Sequence, residues 1–359
     1  MSLLERSMVQ NRRQTLAGAV AFVGGAAFSP DVAVIEDFGS KVRTGRDDTE
    51  AIKSALNSGT RFIAAAPNKK LSDRYSISET IHLPPGVSFD GRNIPISTKE
   101  PIRVLSVDAD EAHGNREGEV NNLIIDGGRR ASCGLYVGLA VHRTFRNITV
   151  RGVSGDAIIV DAGQNNLFEN LNTEDCQVAL RLCNGAANNL FVRCSFSDAS
   201  LRNIILGRSP ELGGARWKMF DNHPCQNTFE RIIAEYGRAE IVVDVDSGRF
   251  NSFRDIVISG GGRSGPSLRL GKESSLNHFD RPYVGGGGGH TGVLQEGFGN
   301  SFDTPIFEGF ANGSTVLVSR GQTRVSGFPH WKASNLQLKP EGGGRIMLGQ
   351  DTDVPSSGK

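Results

Sequence analysis

The sequence predicts an all-β protein, a right-handed parallel β-helix with an N-terminal capping helix, from three observations. Phe recurs at a nearly constant interval, apolar residues alternate with polar ones in short bursts, and Gly, Asn, Asp and Ser separate the bursts. A period in the twenties is typical of a solenoid, whose repeats bury their apolar faces only against each other. Short alternating runs bounded by turn formers indicate strands rather than helices.

The Phe repeat is the clearest of these signals, since the chain has 19 Phe against 2 Trp and 4 Tyr. Its intervals are 23, 23, 38, 24, 26 and 23 residues. The repeated residues are Phe145, Phe168, Phe191, Phe229, Phe253, Phe279 and Phe302. Leu123 lies 22 residues before Phe145 and is interpreted as an earlier copy. We expect these rings to stack inside a cylinder, with the next aliphatic residue also inward and Asn forming ladders at the corners.

The strand pattern within a repeat distinguishes the kind of solenoid. Phe168 and Leu171 form one burst, and Val178, Leu180 and Leu182 form a second one. Two or three such strands, at roughly 3.3 Å per residue, make one coil of a parallel β-helix. A leucine-rich repeat has a similar period but requires a regular leucine consensus, which this sequence lacks.

Four segments are predicted along the chain. Residues 1–30 form an N-terminal anchor or an export signal, residues 31–92 an N-terminal motif with the capping helix, residues 93–320 the coils, and residues 321–359 a C-terminal cap and tail. In the first segment, a pair of arginines before a short apolar run resembles a twin-arginine export signal. An anchor that attaches the coils to a larger assembly explains the segment equally well.

Composition excludes several classes of partner. The net charge of +1 provides no field that would attract nucleic acid, and no apolar run is long enough to span a membrane. The five cysteines lack the spacing of a metal site and are interpreted as small buried side chains. We therefore expect no metal, no cofactor and no nucleic-acid partner.

The stretch "VIEDFGSKVRTGRDDTEAIKSALNSG" resembles the N-terminal motif of the pectate-lyase-like superfamily. The matching residues are Asp37, Phe38, Gly39, Asp47, Asp48, Thr49, Ala51 and Ile52. The resemblance is to the branch shared by bacterial polysaccharide-degrading enzymes and phage tailspikes, and it covers residues 31 to about 335. It implies the fold, but not an activity, because members of the branch include lyases, hydrolases, epimerases and binding-only proteins. The motifs of polygalacturonases and the calcium-binding aspartates of pectate lyases are not found.

Polar residues within the second burst of each repeat are predicted to line one shallow outer face. They are Asp156, Gln177, Arg181, Asn203, Glu240, Asp244 and Arg269. Glu240 and Asp244 are candidate catalytic carboxylates, since paired carboxylates provide an acid and a base or nucleophile. Asp156, Arg181, Asn203 and Arg269 are candidate substrate-binding residues, with the arginines suited to an anionic sugar. The alternative is that all are ordinary solvated residues of outward strand faces.

The 38-residue interval predicts an insertion at about 207–224, which must leave the cylinder as a loop. Trp217 is a candidate for stacking on a sugar ring, and Glu211 and Asp221 are further candidate catalytic carboxylates. The loop is equally consistent with a cover folded over the coils or with a contact to a neighbouring subunit.

Three functions remain open from the sequence. The first is a phage tailspike or tail-fibre protein in the virion tail, a homotrimer whose residues 1–30 dock onto other tail proteins. Its coils would bind a host cell-surface polysaccharide and depolymerise it as a glycoside hydrolase or lyase. The second is an exported bacterial polysaccharide lyase or hydrolase, secreted or periplasmic, with residues 1–30 removed. The third is a non-catalytic receptor-binding β-helix protein.

Overall fold

The computed structural model describes residues 32–40, 46–66, 73–108, 115–209, 212, 222–260, 265–286, 291–310, 314–327, 330–331 and 337–349. Segment 1–30, expected to be an anchor or an export signal, lies outside these ranges. All statements below concern the described residues.

Short parallel strands account for nearly all regular structure. A 3₁₀ turn spans Ile35–Phe38, and helix α1 spans Thr49–Leu56. The first strands are β1 Val32–Val34, β2 Phe62–Ala64, β3 Tyr75–Ile77, β4 Ile81–His82, β5 Ser88–Asp90, β6 Pro95–Thr98, β7 Arg103–Val107, β8 Asn115–Arg116, β9 Glu119–Asp126, β10 Cys133–Gly138, β11 Ala140–Val141, β12 Thr144–Arg151, β13 Asp156–Asp161, β14 Leu167–Glu174, β15 Cys176–Cys183 and β16 Leu190–Val192. The remaining strands are β17 Ser195–Leu206, β18 Thr228–Glu230, β19 Ile233–Gly237, β20 Val243–Val245, β21 Ser252–Arg254, β22 Val257–Ile258, β23 Leu268–Leu270, β24 His278–Asp280, β25 Tyr283–Gly285, β26 Thr291–Gln295, β27 Phe298–Asp303, β28 Ile306–Glu308, β29 Thr315–Ser319, β30 Gln322–Ser326, β31 His330–Trp331, β32 Gln337–Pro340 and β33 Arg345–Leu348.

The strands stack into three parallel faces of a β-helix of about ten turns. Sheet A contains β1, β2, β5, β9, β12, β14, β16, β18, β21, β24, β27, β30 and β33. Sheet B contains β3, β6, β19, β22, β25, β28 and β31 together with parts of β9, β12, β14 and β17. Sheet C contains β4, β7, β10, β13, β15, the end of β17, β20, β23, β26, β29 and β32. The predicted right-handed parallel β-helix is confirmed.

The Phe residues stack along the inner side of sheet A, as expected. Successive rings from Phe145 to Phe302 have centroids between 4.5 and 5.0 Å apart and lie in nearly parallel planes. The interpretation of Leu123 as an earlier member is wrong, because Val120 pairs with Phe145 while Leu123 pairs with Ile148. The stack of Phe rings therefore begins at Phe145, and Val120 occupies the equivalent position in the preceding coil.

A buried Asn ladder occupies the corner between sheets C and A. Its members are Asn166, Asn189, Asn227, Asn251, Asn277 and Asn300. From Asn166 to Asn277, each side-chain Nδ2 donates to Oδ1 of the next Asn, at 2.9 to 3.0 Å. The expected corner ladder is confirmed, and it satisfies polar groups that would otherwise be buried without partners.

Helix α1 lies at the N-terminal end of the coils and buries Ile52, Ala55 and Leu56. The carboxylate of Asp47 accepts hydrogen bonds from the backbone N–H of Thr49 at 2.9 Å and from the Thr49 and Ser78 hydroxyls. Asp48 holds the N-cap position without a side-chain bond to the helix. The first turn is thus fixed to the adjacent coil through Asp47.

All five cysteines are buried, as the sequence suggested. Burial raises the pKa of Cys176, Cys194 and Cys225 to about 12, which keeps these thiols protonated at neutral pH. Within the described ranges, no helix has both the length and the apolar character needed to cross a membrane.

Candidate functional site

The candidate site lies on the outer side of sheet C. Residues in direct register there are Tyr136, Ile159, Arg181, Ile205, Asp244 and Arg269, one from each of six successive coils. Their neighbours in sequence, such as Leu180 and Leu182, point into the core. Because adjacent strands lie about 4.8 Å apart, three of the predicted residues form one line along the solenoid.

Asp156 and Arg181 form a partly buried ion pair in the N-terminal half of this face. Nη2 of Arg181 lies 3.3 Å from Oδ1 of Asp156, and its Nε donates to Oδ2. Nη1 of the same guanidinium lies 3.3 Å from the hydroxyl of Ser209, where the insertion begins. The structure therefore brings these two predicted residues together.

Tyr136 and Asp161 form a second polar pair that sequence reasoning missed. The Tyr136 hydroxyl donates to Oδ2 of Asp161 at 2.5 Å, and Nδ2 of Asn184 donates to Oδ1 at 2.9 Å. The guanidinium carbon of Arg103 lies 3.9 Å from the centroid of the Tyr136 ring. The sequence signal for this pair was Tyr136, because Tyr is rare in the chain and this one points outward. Its outward position can be recognised only once the register between coils is known.

The insertion reaches this part of the face. Leu212, its one described residue away from the flanks, packs against a buried outer cluster of Cys133, Tyr136, Ile159 and Cys183. Leu212 thus helps to exclude water from the outer side of sheet C at the Tyr136 end.

Asp244 is the centre of the third group. Its carboxylate lies 3.3 Å from Nε of Arg202 and 3.1 Å from Nη1 of Arg269. Arg202 also contacts Glu240 at 3.4 Å, and Arg269 also contacts Glu296 at 3.4 Å. Three of the predicted residues, Glu240, Asp244 and Arg269, are thereby joined in one network through an arginine that was not predicted.

The two carboxylates of this network differ in environment. The side chain of Asp244 is 9% exposed, whereas that of Glu240 is 65% exposed. Burial raises the pKa of Asp244, against the opposing effect of the Arg269 and Arg202 guanidiniums. Burial alone would lower the pKa of Arg269. The charges of Asp244, Asp246 and Glu296 outweigh the effect of burial, so the pKa of Arg269 is raised. A buried carboxyl with a raised pKa beside an exposed carboxyl group is an arrangement that suits acid–base chemistry.

Asn203 does not lie on this face, so the expectation that it lines the outer groove is wrong. The residue is fully buried, and its Nδ2 donates to the carbonyl of Glu235 at 3.0 Å. Ala179, at the corresponding position of β15, is also in the core. Strict alternation of inward and outward residues fails where sheet C begins, because Asn203 and the following Ile204 both point inward.

Glu211, Trp217 and Asp221 lie outside the described residues. Among the flanking residues, His223 is buried and its Nε2 lies 3.0 Å from Nη2 of Arg208. Burial and the nearby Arg249 and Arg208 charges lower the pKa of His223. In the described part of the chain, no group of three or more His, Cys, Asp or Glu residues is arranged to hold a metal ion.

No protein family and no curated protein matches the sequence. Solved structures with the same fold include ORF18 of Geobacillus virus E2, with a TM-score of 0.58 and 14% identity over 87% of this chain and 62% of that one. The A-module of the Azotobacter vinelandii mannuronan C-5 epimerase AlgE4 gives 0.59 and 12% identity over 89% of this chain and all of the module. Tailspike protein 3 of bacteriophage CBA120 gives 0.51 and 14% identity over 97% and 69%.

These likenesses establish the architecture. The chain has the parallel β-helix fold found in phage tailspikes and in epimerase A-modules, consistent with the pectate-lyase-like resemblance of its N-terminal motif. It spans 62% of the length of the Geobacillus virus protein.

Proposed function

We propose that the protein is a phage tailspike-like protein that binds a host cell-surface polysaccharide on the outer face of sheet C and depolymerises it. The observation that carries this proposal is the network around Asp244, in which a buried carboxyl and an exposed carboxylate share Arg202. Solved structures of the same fold include a bacteriophage tailspike and a module of a mannuronan epimerase, which supports a polysaccharide ligand.

The chemical roles follow from the two environments. Asp244, with its raised pKa, acts as the general acid toward the leaving oxygen of a glycosidic bond. Glu240 acts as the base or nucleophile, because its side chain is exposed and accessible to a substrate. Arg181 and Arg269, with Asp156, position the sugar chain along the coils. Trp217 contributes a stacking surface from the insertion, and Glu211 and Asp221 are the alternative carboxylates.

Asp244→Asn and Glu240→Gln test these roles. Purified protein is incubated with a panel of bacterial capsular polysaccharide and lipopolysaccharide fractions, and released oligosaccharides are detected. Each variant is expected to reduce release by about 10²-fold or more, the usual contribution of a general acid or base. Asp280→Asn is the matched control, because Asp280 forms a comparable ion pair with Arg254 on sheet A.

Full activity in both variants would eliminate this assignment, and Glu211→Gln and Asp221→Asn would then test the insertion. Binding of a glycan without any release would instead identify a non-catalytic receptor-binding protein.

The proposal includes an assembly. The protein is a homotrimer in the virion tail, and residues 1–30 dock it onto other tail proteins. A bacteriophage tailspike among the solved structures of the same fold supports this assembly.

An exported bacterial polysaccharide lyase or hydrolase is the second candidate. The complete coverage of the AlgE4 A-module favours it, since that module comes from a bacterial polysaccharide-modifying enzyme. Such a protein would be monomeric, secreted or periplasmic, and without residues 1–30. Sequencing the N-terminus of the mature protein distinguishes the two candidates, because a tail protein retains the segment.

A further inference from the structure

Asp246 is a further carboxyl group beside Asp244 on the outer side of sheet C. Val245 lies between the two residues at the end of β20, and its side chain belongs to the core. Because side chains alternate along a strand, Asp244 and Asp246 project from the opposite side, away from the core. The side chain of Asp244 is 9% exposed and that of Asp246 is 55% exposed. The two carboxyl groups are therefore neighbours in different environments.

Both carboxyl groups contact the same nitrogen atom. Nη1 of Arg269 lies 3.1 Å and 3.4 Å from the two carboxyl oxygens of Asp244, and 3.2 Å from Oδ1 of Asp246. A guanidinium nitrogen has a fixed, planar set of N–H donors, so a hydrogen that points at one carboxyl group is not available to the other. Asp246 therefore competes with Asp244 for Arg269.

Gly271, in the next coil, leaves Asp246 in the position from which it reaches Arg269. A Cβ at Gly271 would lie 3.0 Å from Oδ1 of Asp246 and 2.6 Å from the backbone oxygen of the same residue. Oδ1 is also the oxygen that contacts Nη1 of Arg269. A side chain at position 271 would therefore displace the atoms that make this contact. The glycine is required by close approach, and it makes the shared guanidinium part of the packing between coils.

The charged groups around Asp244 come from its own coil and from the coils on both sides. Burial, and to a smaller extent the charge of Asp246, raises the pKa of Asp244, while the two arginines act in the opposite direction. The groups are Arg202, Arg269 and Asp246, together with Glu240 and Glu296, which contact the two arginines at 3.4 Å. Among them, Asp246 shares with Asp244 a single atom of its partner.

We propose that Asp246 is a positioning residue of the candidate site, which holds Nη1 of Arg269 partly away from Asp244 and so widens the pH range in which Asp244 can donate a proton. This inference rests on the proposed function, because it takes Asp244 as the general acid. It goes beyond that proposal by placing control of the acid in a residue that acts through Arg269.

Asp246→Asn tests this role with a side chain of the same shape, at a position exposed enough for the fold to be retained. The variant removes a charge that raises the pKa of Asp244 and leaves Arg269 to pair with Asp244 alone, so this pKa should fall. A general acid is active in its protonated form, and kcat/KM therefore declines as the pH rises through the pKa of that acid. The alkaline side of the pH profile should move to lower pH in the variant. There, kcat/KM should be roughly tenfold lower than in the wild type, the scale on which a neighbouring charge acts, while the values at the acidic plateau stay equal.

The profile is measured on the capsular polysaccharide or lipopolysaccharide fraction from which the wild type releases oligosaccharides. A second measurement needs no activity: NMR follows the titration of Asp244 in full-length protein labelled in the aspartate carboxyl groups, and Asp244→Asn identifies its signal. Glu296→Gln is the matched control. It removes a partner of Arg269 at Nε, 3.4 Å away, but leaves Nη1 shared between the two aspartates. Its effect on the titration of Asp244 should be clearly smaller.

The outcomes separate the two proposals. An unchanged titration of Asp244 in Asp246→Asn, or an equal change in Glu296→Gln, overturns the role of Asp246 and leaves the proposed function standing. A loss of activity that is the same at every pH also overturns it, because a contact with substrate or a structural role would act in that way. Failure of the wild type to release oligosaccharides from any fraction overturns both proposals.

Discussion

Each Asn of the buried ladder uses its whole side-chain amide. Oδ1 of Asn251 accepts from both the backbone N–H and the Nδ2 of Asn227, at 3.0 Å each. Its own Nδ2 donates to Oδ1 of Asn277 at 2.9 Å and to the Pro224 carbonyl at 3.2 Å. Only Asn has two donor hydrogens and an acceptor at this reach, so no other residue can replace it without leaving buried groups unpaired.

Asn251→Ala should therefore lower the free energy of unfolding by about 4 kcal/mol, since four hydrogen bonds contribute about 1 kcal/mol each. Urea unfolding followed by circular dichroism measures the change. Asn172→Ala is the control, because Asn172 is exposed on β14. An equal loss in both variants would show that the ladder contributes no more than a surface Asn.

Individual residue positions show which features a sequence pattern predicts well. The Asn and Phe positions were predictable because each is one letter repeated at a fixed interval. Leu123 was misassigned because the residue that aligns with Phe145 in the preceding coil is Val120, which is not aromatic. Asn203 was misassigned because its position was inferred from alternation, which fails at the start of sheet C.

At the scale of elements, helix α1 depends on hydrogen bonds that require an ionised Asp47. Burial alone would raise the pKa of Asp47, but hydrogen bonds from Ser78 and Thr49 outweigh it and lower that pKa below its ordinary value of 3.8. A lowered pKa means that the folded state favours the carboxylate. The resulting stabilisation is complete above the ordinary pKa and is lost as the pH falls through the lowered one.

Asp47→Asn should accordingly lower the melting temperature at neutral pH, and the difference from the wild type should shrink as the pH falls below 3.8. Thermal melts across this range provide the measurement. Glu50→Gln in the same first turn is the control, because the side chain of Glu50 is 84% exposed. A difference that stays constant with pH would contradict an electrostatic role for Asp47.

Sheet C illustrates how far element-level prediction extends to the site. The outward positions of Arg181, Asp244 and Arg269 follow from alternation within the strands. Arg202 and Tyr136 were missed because their partners, Asp244 and Asp161, are 42 and 25 residues away. Contacts over such distances depend on the register between coils, which a single sequence does not specify.

At the scale of the whole molecule, the proposed assembly predicts an oligomer. A tailspike-like homotrimer should have three times the 38.5 kDa mass of the chain. Size-exclusion chromatography with light scattering on the full chain measures this mass. A monomer would contradict the trimer and favour the exported bacterial enzyme.

The insertion leaves the stack on either side of it unchanged. Asn189 and Asn227 are 38 residues apart, yet their amides meet at 2.9 Å, and the rings of Phe191 and Phe229 stack at 4.8 Å. Evolution could therefore lengthen, shorten or exchange this loop without rebuilding the scaffold. Related β-helices with different loops at this corner would acquire new ligand preferences while the stacked coils kept the same stability.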